Sequence, residues 1–511
     1  MTMPRWCVVM AMMMLAAVGG GCVPTEQGVR WSPDGTRGLV MGSDGVHVCD
    51  VTGALTGPTI PGAALAVWMP DGKHAVVLQS KELKNWKEIE AAFPDEVANI
   101  KEKANEMVKQ IAEVDQKGQA FESLSLTAGL MSFFLQYDRP EATEQMELMF
   151  FYLRDEKPET IQGKLSAVWD DAMRYSITRL VAQVYDVNGP EAKEGATVAW
   201  LPGTNMGGSF DRKVGFDMMS VSSTGQAVAI YSHGSSEVIV AATNGSGVRM
   251  KRKAAMCYPA WTADGKYLVY ITPMREGEGK ELGVLTRRKM VDDQGVLLKK
   301  GLESKEMPEE ETLATLFLSG GDSRVCVLKD GRIFFTTADV KKLPATRKET
   351  EAWRPVLFSF KGGSEQGTLS RVMSPETEKA IYDEASMNGK CFDVSPDGQH
   401  ISLLGNNGQV TVLDVDTGNL HQVQQDRLVT TKDQNQGETV SLPSWRTADE
   451  LTFACPRSDG KGNELVRYSL TSKEVTVISR SWPIEVTNGW LDKKVEATPA
   501  TKQPEQPRSS H

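Results

Sequence analysis

A short turn motif recurs along this chain and constrains its fold more than any other feature. One copy is Asp393-Val394-Ser395-Pro396-Asp397-Gly398, which leads into the apolar run Ile401–Leu404. Proline restricts φ to about −65°, aspartate bonds to the local backbone, and glycine accepts the positive φ that ends such a turn. The motif therefore predicts a strand, a tight turn and a second strand.

Six further stretches carry the same turn in complete or reduced form. Four of them keep the Asp-Gly pair, and two are degenerate, with Thr224 in place of the Asp or with no Gly after Asp449. In chain order the copy described above is the sixth. The five complete Asp-Gly pairs are Asp34-Gly35, Asp71-Gly72, Asp264-Gly265, Asp330-Gly331 and Asp397-Gly398. We interpret these residues as turn-forming and not as metal ligands or catalytic groups. Seven copies predict seven repeats of one structural unit.

Several copies are followed by a second pair of strand-like segments. Alternating runs occupy Gln409–Gly418 after the sixth copy, Gly45–Gly53 after the first and Glu464–Thr471 after the seventh. Four short strands form the blade of a β-propeller. We therefore predict a mainly-β protein with about seven four-stranded blades. Six or eight blades are the alternatives, because Ser323–Phe335 is a shortened copy and Asn488–Leu491 could begin a further strand.

The repeat resembles that of a known family. Trp31-Ser32-Pro33-Asp34-Gly35, a strand, and then a Val-x-Asp-x-Asp-Thr-Gly segment at Val412–Gly418 look like the TolB-type propeller repeat, which is related in shape to WD repeats. The resemblance covers most of Arg30–Leu491 outside the insertions. It implies the propeller fold but no single function, because that repeat serves binding proteins, protease gating domains and a few lyases.

The first 22 residues have the layout of an export signal. Arg5 supplies a positive region, Trp6–Val18 is an apolar segment too short to span a bilayer, and Gly19–Gly21 precede Cys22. Small residues followed by Cys resemble a bacterial lipoprotein signal, although Gly19 departs from the preferred Leu. We expect a lipid on Cys22 and a membrane-anchored protein facing the periplasm. The alternative is ordinary cleavage at Gly19–Gly21, which gives a secreted or soluble periplasmic protein.

The hydrophobic period changes between residues 81 and 175, where apolar residues recur at three and four. This spacing predicts four amphipathic helices, beginning near Pro94, Phe121, Pro140 and Pro158, that pack as a bundle. Strand pattern returns at Thr178–Val187, so the bundle should interrupt the second blade between its second and third strands. It would then lie on the face opposite the Pro-Asp-Gly turns. Its Met- and Phe-rich run, Met146–Phe151, fits either a bundle core or a binding surface.

The predicted division of the chain follows from these segments. Residues 1–22 form the signal, 23–80 the first blade and the start of the second, 81–175 the helical insertion, 176–494 the rest of the propeller, and 495–511 a disordered tail rich in Pro, Gln and Ser. Two smaller insertions are expected, over residues 273–318 and 340–353.

No catalytic or cofactor constellation stands out. The six His are scattered, and His74 and His400 each lie two residues after a turn Gly, which makes them repeat positions. The five Cys beyond the signal have no Cys-x-x-Cys spacing, and neither a nucleophile elbow nor a phosphate-binding loop is present. A formal net charge of −10 argues against nucleic acid as the main partner. We therefore predict no catalytic, cofactor-binding or metal-binding residues.

Two classes of function remain. We favour a non-enzymatic propeller of the cell envelope that acts as a scaffold for protein or peptide partners. The alternative is an enzyme, such as a polysaccharide lyase or hydrolase, that acts at the central channel. An active site there needs several His, Arg or carboxylate side chains on the innermost strands. Those strands offer mainly Trp, Cys, Val, Ser and Pro, which favours the binding scaffold.

Overall fold

The computed structural model of the chain contains seven antiparallel β-sheets arranged in sequence order. It describes residues 28–42, 44–84, 86–95, 98, 177–201, 219–232, 237–254, 257–273, 282–292, 294–298, 310–317, 323–338, 355–362, 367–382, 392–405, 409–423, 441–457 and 463–482. The sheets are the blades of a propeller, because each contains four consecutive antiparallel strands in simple meander order, and one of them has a fifth strand added in parallel at its edge.

The first three blades use strands β1 to β12. Blade one has β1 (Val29–Trp31), β2 (Arg37–Met41), β3 (Gly45–Asp50) and β4 (Thr59–Pro61). Blade two has β5 (Ala63–Trp68), β6 (His74–Leu83), β7 (Ile177–Asp186) and β8 (Lys193–Trp200). Blade three has β9 (Met219–Val221), β10 (Ala227–Ser232), β11 (Glu237–Ala242) and β12 (Val248–Lys253).

The remaining strands build blades four to seven. Blade four has β14 (Ala260–Trp261), β15 (Tyr267–Pro273), β16 (Leu282–Lys289) and β17 (Glu310–Phe317). Blade five has β18 (Ser323–Val327), β19 (Ile333–Ala338), β20 (Pro355–Lys361) and β21 (Thr368–Arg371), with β13 (Cys257–Tyr258) added in parallel beside β18. Blade six has β22 (Phe392–Val394), β23 (His400–Leu404), β24 (Val410–Asp414) and β25 (Leu420–Gln422). Blade seven has β26 (Ser444–Trp445), β27 (Glu450–Pro456), β28 (Asn463–Ser469) and β29 (Val475–Trp482).

The first strands of the seven blades form a closed ring. Each contacts the first strand of the next blade, and β26 of blade seven contacts β1 of blade one. The prediction of seven blades is therefore confirmed. The ring closes without strand exchange, because the first and last sheets are each built from their own consecutive strands.

The repeated motif forms the turn between the first and second strands, as predicted. In blade six the Gly398 N–H donates to the Ser395 carbonyl at 2.8 Å, and the Asp397 carboxylate accepts the Gln399 N–H at 3.1 Å. Gly398 has φ of 74° and Gly35 has φ of 69°, in the region that a side chain disfavours. The local chemistry read from the motif thus accounts for the turn.

The tryptophan before the motif joins neighbouring blades. The indole N–H of Trp68 donates to the Arg30 carbonyl of blade one at 2.9 Å, and that of Trp261 donates to the Ser220 carbonyl of blade three at 3.1 Å. In blade one, the Trp31 indole donates to the Thr452 hydroxyl of blade seven at 2.7 Å. These rings lie in the apolar cores between blades, so they bury their surface and satisfy their one donor.

Blade two is interrupted where predicted, between its second and third strands. Strand β6 pairs with β7 from His74 to Leu83, so residues 84–176 are inserted between two strands of one sheet. The strand runs three residues into the range predicted as the helical insertion. A short helix follows, α1 (Trp86–Ala92), which buries Ile89. The remainder of the predicted bundle, the signal and the tail lie outside the described residues.

The predicted insertion over residues 273–318 is wrong in part. Two of its segments are the third and fourth strands of blade four, since β16 pairs with β15 on one side and with β17 on the other. The long connections around them hid the blade pattern in the sequence. The insertion expected over residues 340–353 lies outside the described residues. A second short helix, α2 (Pro375–Tyr382), follows blade five. None of the described helices is both long enough and apolar enough to cross a membrane.

Candidate functional site

One repeat position on the innermost strands, which surround the central channel, alternates with the positions buried in the inter-blade core. In β1, Val29 and Trp31 are buried in that core, so Arg30 between them lies on the opposite face of the strand, where its Nη1 donates to the Ala66 carbonyl of blade two at 3.3 Å. The equivalent position, one residue before the motif, is occupied in the seven blades by Arg30, Val67, Ser220, Ala260, Cys326, Asp393 and Ser444. The channel wall is therefore apolar or weakly polar in most blades and charged in two.

The charged residues correct the sequence-based description of the innermost strands. Those strands hold Arg30, Arg324 and Asp393 in addition to the predicted Trp, Cys, Val, Ser and Pro. Arg324 was overlooked because it lies two residues before the position that the motif marks. A scan of every residue of each first strand would have found it.

Arg324 and Asp393 form an ion pair between blades five and six. The Nη2 atom of Arg324 lies 3.1 Å from Oδ1 of Asp393, and its Nη1 donates to the Phe392 carbonyl at 3.1 Å. The two side chains are only 17% and 15% exposed. Because little water reaches either side chain, each charge is stabilised mainly by the other one.

Two further side chains complete this group. The added strand β13 places Tyr258 beside Arg324 in parallel register, and Tyr258 is 6% exposed. Cys326 follows Arg324 by two residues on the same strand. Burial opposes the charge of Arg324, but its neighbours, chiefly Asp393, raise its pKa above the ordinary value. We refer to Tyr258, Arg324, Cys326 and Asp393 as the channel cluster.

The thiol in the channel cluster is not activated. Burial raises the pKa of Cys326 to about 11, and the nearby Arg324 charge lowers it only in part. A thiol is nucleophilic as the thiolate, so at neutral pH Cys326 remains the protonated form. The cluster offers hydrogen-bonding and charged groups in place of an activated nucleophile.

The two ends of the channel differ. Turns between first and second strands adjoin one another at one end: the Arg446 Nε donates to the Gly35 carbonyl at 2.9 Å, and the Arg332 Nη2 to the Gly398 carbonyl at 3.3 Å. We name this end the turn face. Because strands alternate in direction, the connections between blades and the insertion of blade two lie at the other end, the loop face. Arg324, at the start of β18, lies toward the loop face.

The residues singled out in the sequence have mostly structural surroundings. The motif aspartates lie on the turn face, and the hydroxyl of Ser32 together with the Thr36 N–H lowers the pKa of Asp34 below its ordinary value. His74 and His400 each begin the second strand of their blade, at equivalent positions in blades two and six. The structure does not bring these residues together. Cys22 lies outside the described residues.

Within the described part of the chain, no group of three or more His, Cys, Asp or Glu side chains could hold a metal ion. Among the described residues, Cys49, Cys326 and Cys455 form no disulfide, and Cys49 and Cys455 are buried in strands as the apolar pattern around them indicated.

No family model matches this chain, and no curated protein matches it. Solved structures do. Puromycin hydrolase matches with 12% identity and a TM-score of 0.35, over 59% of this chain and 43% of the hydrolase. Kuenenia stuttgartiensis hydrazine synthase matches with 14% identity and a TM-score of 0.39, over 91% and 97%. TolB from Acinetobacter baumannii matches with 13% identity and a TM-score of 0.29, over 59% and 65%.

The chain spans less than half the length of the puromycin hydrolase structures that it matches. At these identities and scores the likeness does not extend to activity, and the functional argument depends on the channel cluster.

Proposed function

We propose that this protein is a recognition module of the cell envelope that binds an extended segment of a partner protein or peptide at the loop-face mouth of the channel. The observation that carries the proposal is the chemistry of the channel cluster. It combines a shielded Arg324–Asp393 pair with a thiol whose pKa is raised. Such groups bind polar ligands but do not attack them.

An Arg–Asp pair on a channel wall suits the peptide backbone. A guanidinium donates to carbonyl or carboxylate oxygens, and a carboxylate accepts N–H groups, so the pair can engage both kinds of main-chain group. The low exposure of both side chains favours binding, because hydrogen bonds to charged groups are stronger where water is largely excluded.

The loop face supplies a platform beside this mouth. Strand β6 has 10 residues, whereas the second strands of blades one and four have 5 and 7. The longer strand and its partner β7 carry the insertion at the loop face, and α1 packs at its base with Phe93 6.4 Å from the Trp200 ring. Segments presented on a rigid scaffold commonly carry recognition. We include residues 84–176 in the proposed binding surface.

The test is an affinity capture from detergent-solubilised envelope with wild type and two variants. Arg324→Gln removes the charge at the loop-face mouth, and we expect it to lose partners that wild type retains. Arg332→Gln is the matched control, since Arg332 pairs with Asp330 on the turn face at 2.6 Å. Thermal unfolding of each variant verifies that it is folded.

A folded Arg324→Gln protein that captures every wild-type partner would remove the channel cluster from the proposed function. Deleting residues 84–176 behind a short Gly/Ser linker tests the platform separately. If that protein folds and keeps its partners, the insertion is not part of the binding surface. Release of cleaved polysaccharide or peptide by wild type, abolished in Asp393→Asn, would favour the enzymatic alternative.

The proposed location has its own test. A lipid on Cys22 would hold the protein at the membrane, so Cys22→Ser should move it from the membrane fraction to the soluble fraction of the envelope. Wild-type protein found wholly in the soluble fraction would contradict the lipid anchor while leaving the proposed recognition intact.

A further inference from the structure

Blade four contains a nearly buried arginine that has no hydrogen-bond or ion-pair partner among the residues that the structure describes. Arg288, on strand β16, is only 6% exposed, and its guanidinium makes no hydrogen bond or ion pair with any residue that the structure describes. Its neighbour Arg287, on the opposite face of the same strand, pairs with Glu311 through a 2.9 Å hydrogen bond. Burying a charge is unfavourable unless an opposite charge compensates it, so Arg288 calls for an explanation.

The surroundings of Arg288 are polar and come from both blades. Glu310 lies directly opposite on β17. One oxygen of Glu310 is 3.1 Å from Nη2 of Arg252, which belongs to blade three, and the other accepts the Tyr270 hydroxyl at 3.2 Å. Both Glu310 oxygens therefore have donors already, and Arg288 is left as an additional charge.

The positive charges of Arg288 and Arg252 both lie near the Tyr270 hydroxyl. Burial raises the pKa of the Tyr270 hydroxyl, and Arg288 and Arg252 are the two cations close enough to oppose that rise. The two arginines and Glu310 together carry one net positive charge. The Arg252 side chain is 39% exposed and that of Glu310 17%, so this group reaches solvent on the Arg252 side.

We propose that the polar group formed by Arg288, Arg252, Glu310 and Tyr270, where blades three and four meet, is a binding site for a single carboxylate. Arg288 is the least exposed cation of this group, and a guanidinium can supply two parallel N–H donors, the arrangement that matches a carboxylate. Arg252 lies at its entrance and Tyr270 at its side. One bound carboxylate neutralises the net charge and gives Arg288 the partner that the described residues do not provide. The site is separate from the channel cluster and does not depend on the proposed function.

The carboxylate could belong to a free small acid or to the end of a peptide chain, and two probes distinguish these sources. Sodium acetate represents the free acid. N-acetyl-trialanine with a free carboxyl end represents the peptide, and its C-terminal amide is the control. A preference for the free-carboxyl peptide over acetate assigns the site to a chain terminus, and acetate binding as tight as peptide binding assigns it to a small acid.

The experiment uses the full chain in a buffer of constant ionic strength, with calorimetry and thermal unfolding. We expect acetate or the free-carboxyl peptide to raise the wild-type Tm progressively with concentration, as a ligand of the folded state must. Arg288→Met should abolish this rise and weaken binding by about tenfold or more, the loss expected for a charge-assisted contact. Arg287→Met, one residue away on the other face, should bind as wild type does.

A second measurement separates a binding site from a structural role. Without added carboxylate, Arg288→Met should unfold at the wild-type Tm or above it, because the substitution removes an uncompensated buried charge. A much lower Tm in that buffer would show that the fold itself uses Arg288 and would overturn the proposal. An equal rise of Tm with carboxylate in Arg288→Met and wild type, or no binding by wild type, would overturn it as well.

Discussion

Blades two and four both have a glutamate on the fourth strand, but different side chains surround that glutamate. In each blade a glutamate on the fourth strand lies opposite a large residue on the third: Glu194 faces Tyr185 in blade two, and Glu310 faces Arg288 in blade four. The positions are equivalent, since Tyr185 pairs with Ala75, the second residue of β6, and Arg288 pairs with Leu268, the second residue of β15.

The network of blade two is complete. The Tyr185 hydroxyl donates to Glu194 at 3.0 Å and accepts from the Gln79 amide at 2.8 Å. Gln183 donates to Glu194 at 3.1 Å, and Lys81 reaches the same carboxylate at 3.2 Å. Every polar group named here has a partner within the blade, so this network stabilises a sheet that carries a long insertion.

Blade four has an arginine where blade two has the tyrosine. The tyrosine that binds its glutamate comes from the second strand instead, and blade three supplies the cation. The guanidinium of Arg288 therefore takes no part in the hydrogen bonds of Glu310. A repeat architecture thus keeps its backbone pairing while one side-chain exchange converts a closed polar network into an open one.

The largest expected effect comes from removing each glutamate. Glu310→Ala removes the carboxylate that bonds Arg252 and the Tyr270 hydroxyl and that lies opposite Arg288. Because the Arg252 side chain is 39% exposed, the expected loss of unfolding free energy is about 2 kcal/mol and not that of a fully buried pair. Glu194 is 58% exposed, and its partner Lys81 can turn to water, so Glu194→Ala should cost only about 1 kcal/mol. Urea unfolding of the two variants measures the difference.

Added acetate sharpens this comparison. In Glu310→Ala a small carboxylate can replace the missing one, so acetate should recover part of the lost stability. Glu194→Ala keeps the Arg288 site of blade four, so acetate should stabilise it only as much as it stabilises wild type and should not recover the loss in blade two. Equal losses in the two variants, with no rescue, would show that the two networks are energetically alike.

An exchange of side chains tests the comparison directly. Arg288→Tyr gives blade four the residue of blade two and removes the uncompensated charge. Replacing a buried charge by a residue of similar volume is often neutral or stabilising by about 1 kcal/mol or more. We therefore expect Arg288→Tyr to unfold at an unchanged or higher urea concentration and to lose its response to acetate. A clear loss of stability would mean that the tyrosine of blade two depends on Gln79 and Gln183, which blade four lacks.

These positions also show how far the sequence determines the structure. The turn motif predicted the blade count, because Pro, Asp and Gly act through local backbone preferences that need no distant partner. Gly398 has the positive φ that its place in the motif indicated. The interruption of blade two was predicted from the change of hydrophobic period, which is also local.

The channel cluster and the Arg288 group were not predicted. Each joins residues far apart in the chain, such as Tyr258 with Asp393 or Arg252 with Glu310, and only ring closure and blade packing bring them together. The periodicity of β16 marks Arg288 as a core position, but no pattern in the sequence tells whether such an arginine has a partner. The strands of blade four were also harder to recognise in the sequence, because long connections separate them.

The smallest expected effect is a pH dependence of the blade-two network. Burial alone would raise the pKa of Glu194, but hydrogen bonds from Lys81, Tyr185 and Gln183 outweigh it and lower the pKa below 4.5. A carboxyl group with a lowered folded-state pKa stabilises the protein above its unfolded pKa, and this contribution is lost as the pH falls through the folded value. Because Glu194 is more than half exposed, the contribution is a few tenths of a kcal/mol.

Urea unfolding of wild type and Glu194→Gln at pH 7 and pH 3 measures this contribution. Wild type should be the more stable protein at pH 7, and the difference should shrink as the pH falls and Glu194 takes up its proton. Glu191→Gln, at an exposed residue just before strand β8, controls for the change in net charge. A difference that is the same at both pH values would show that Glu194 acts through its shape and neutral hydrogen bonds, and the contrast between the two blades would then depend on Arg288 alone.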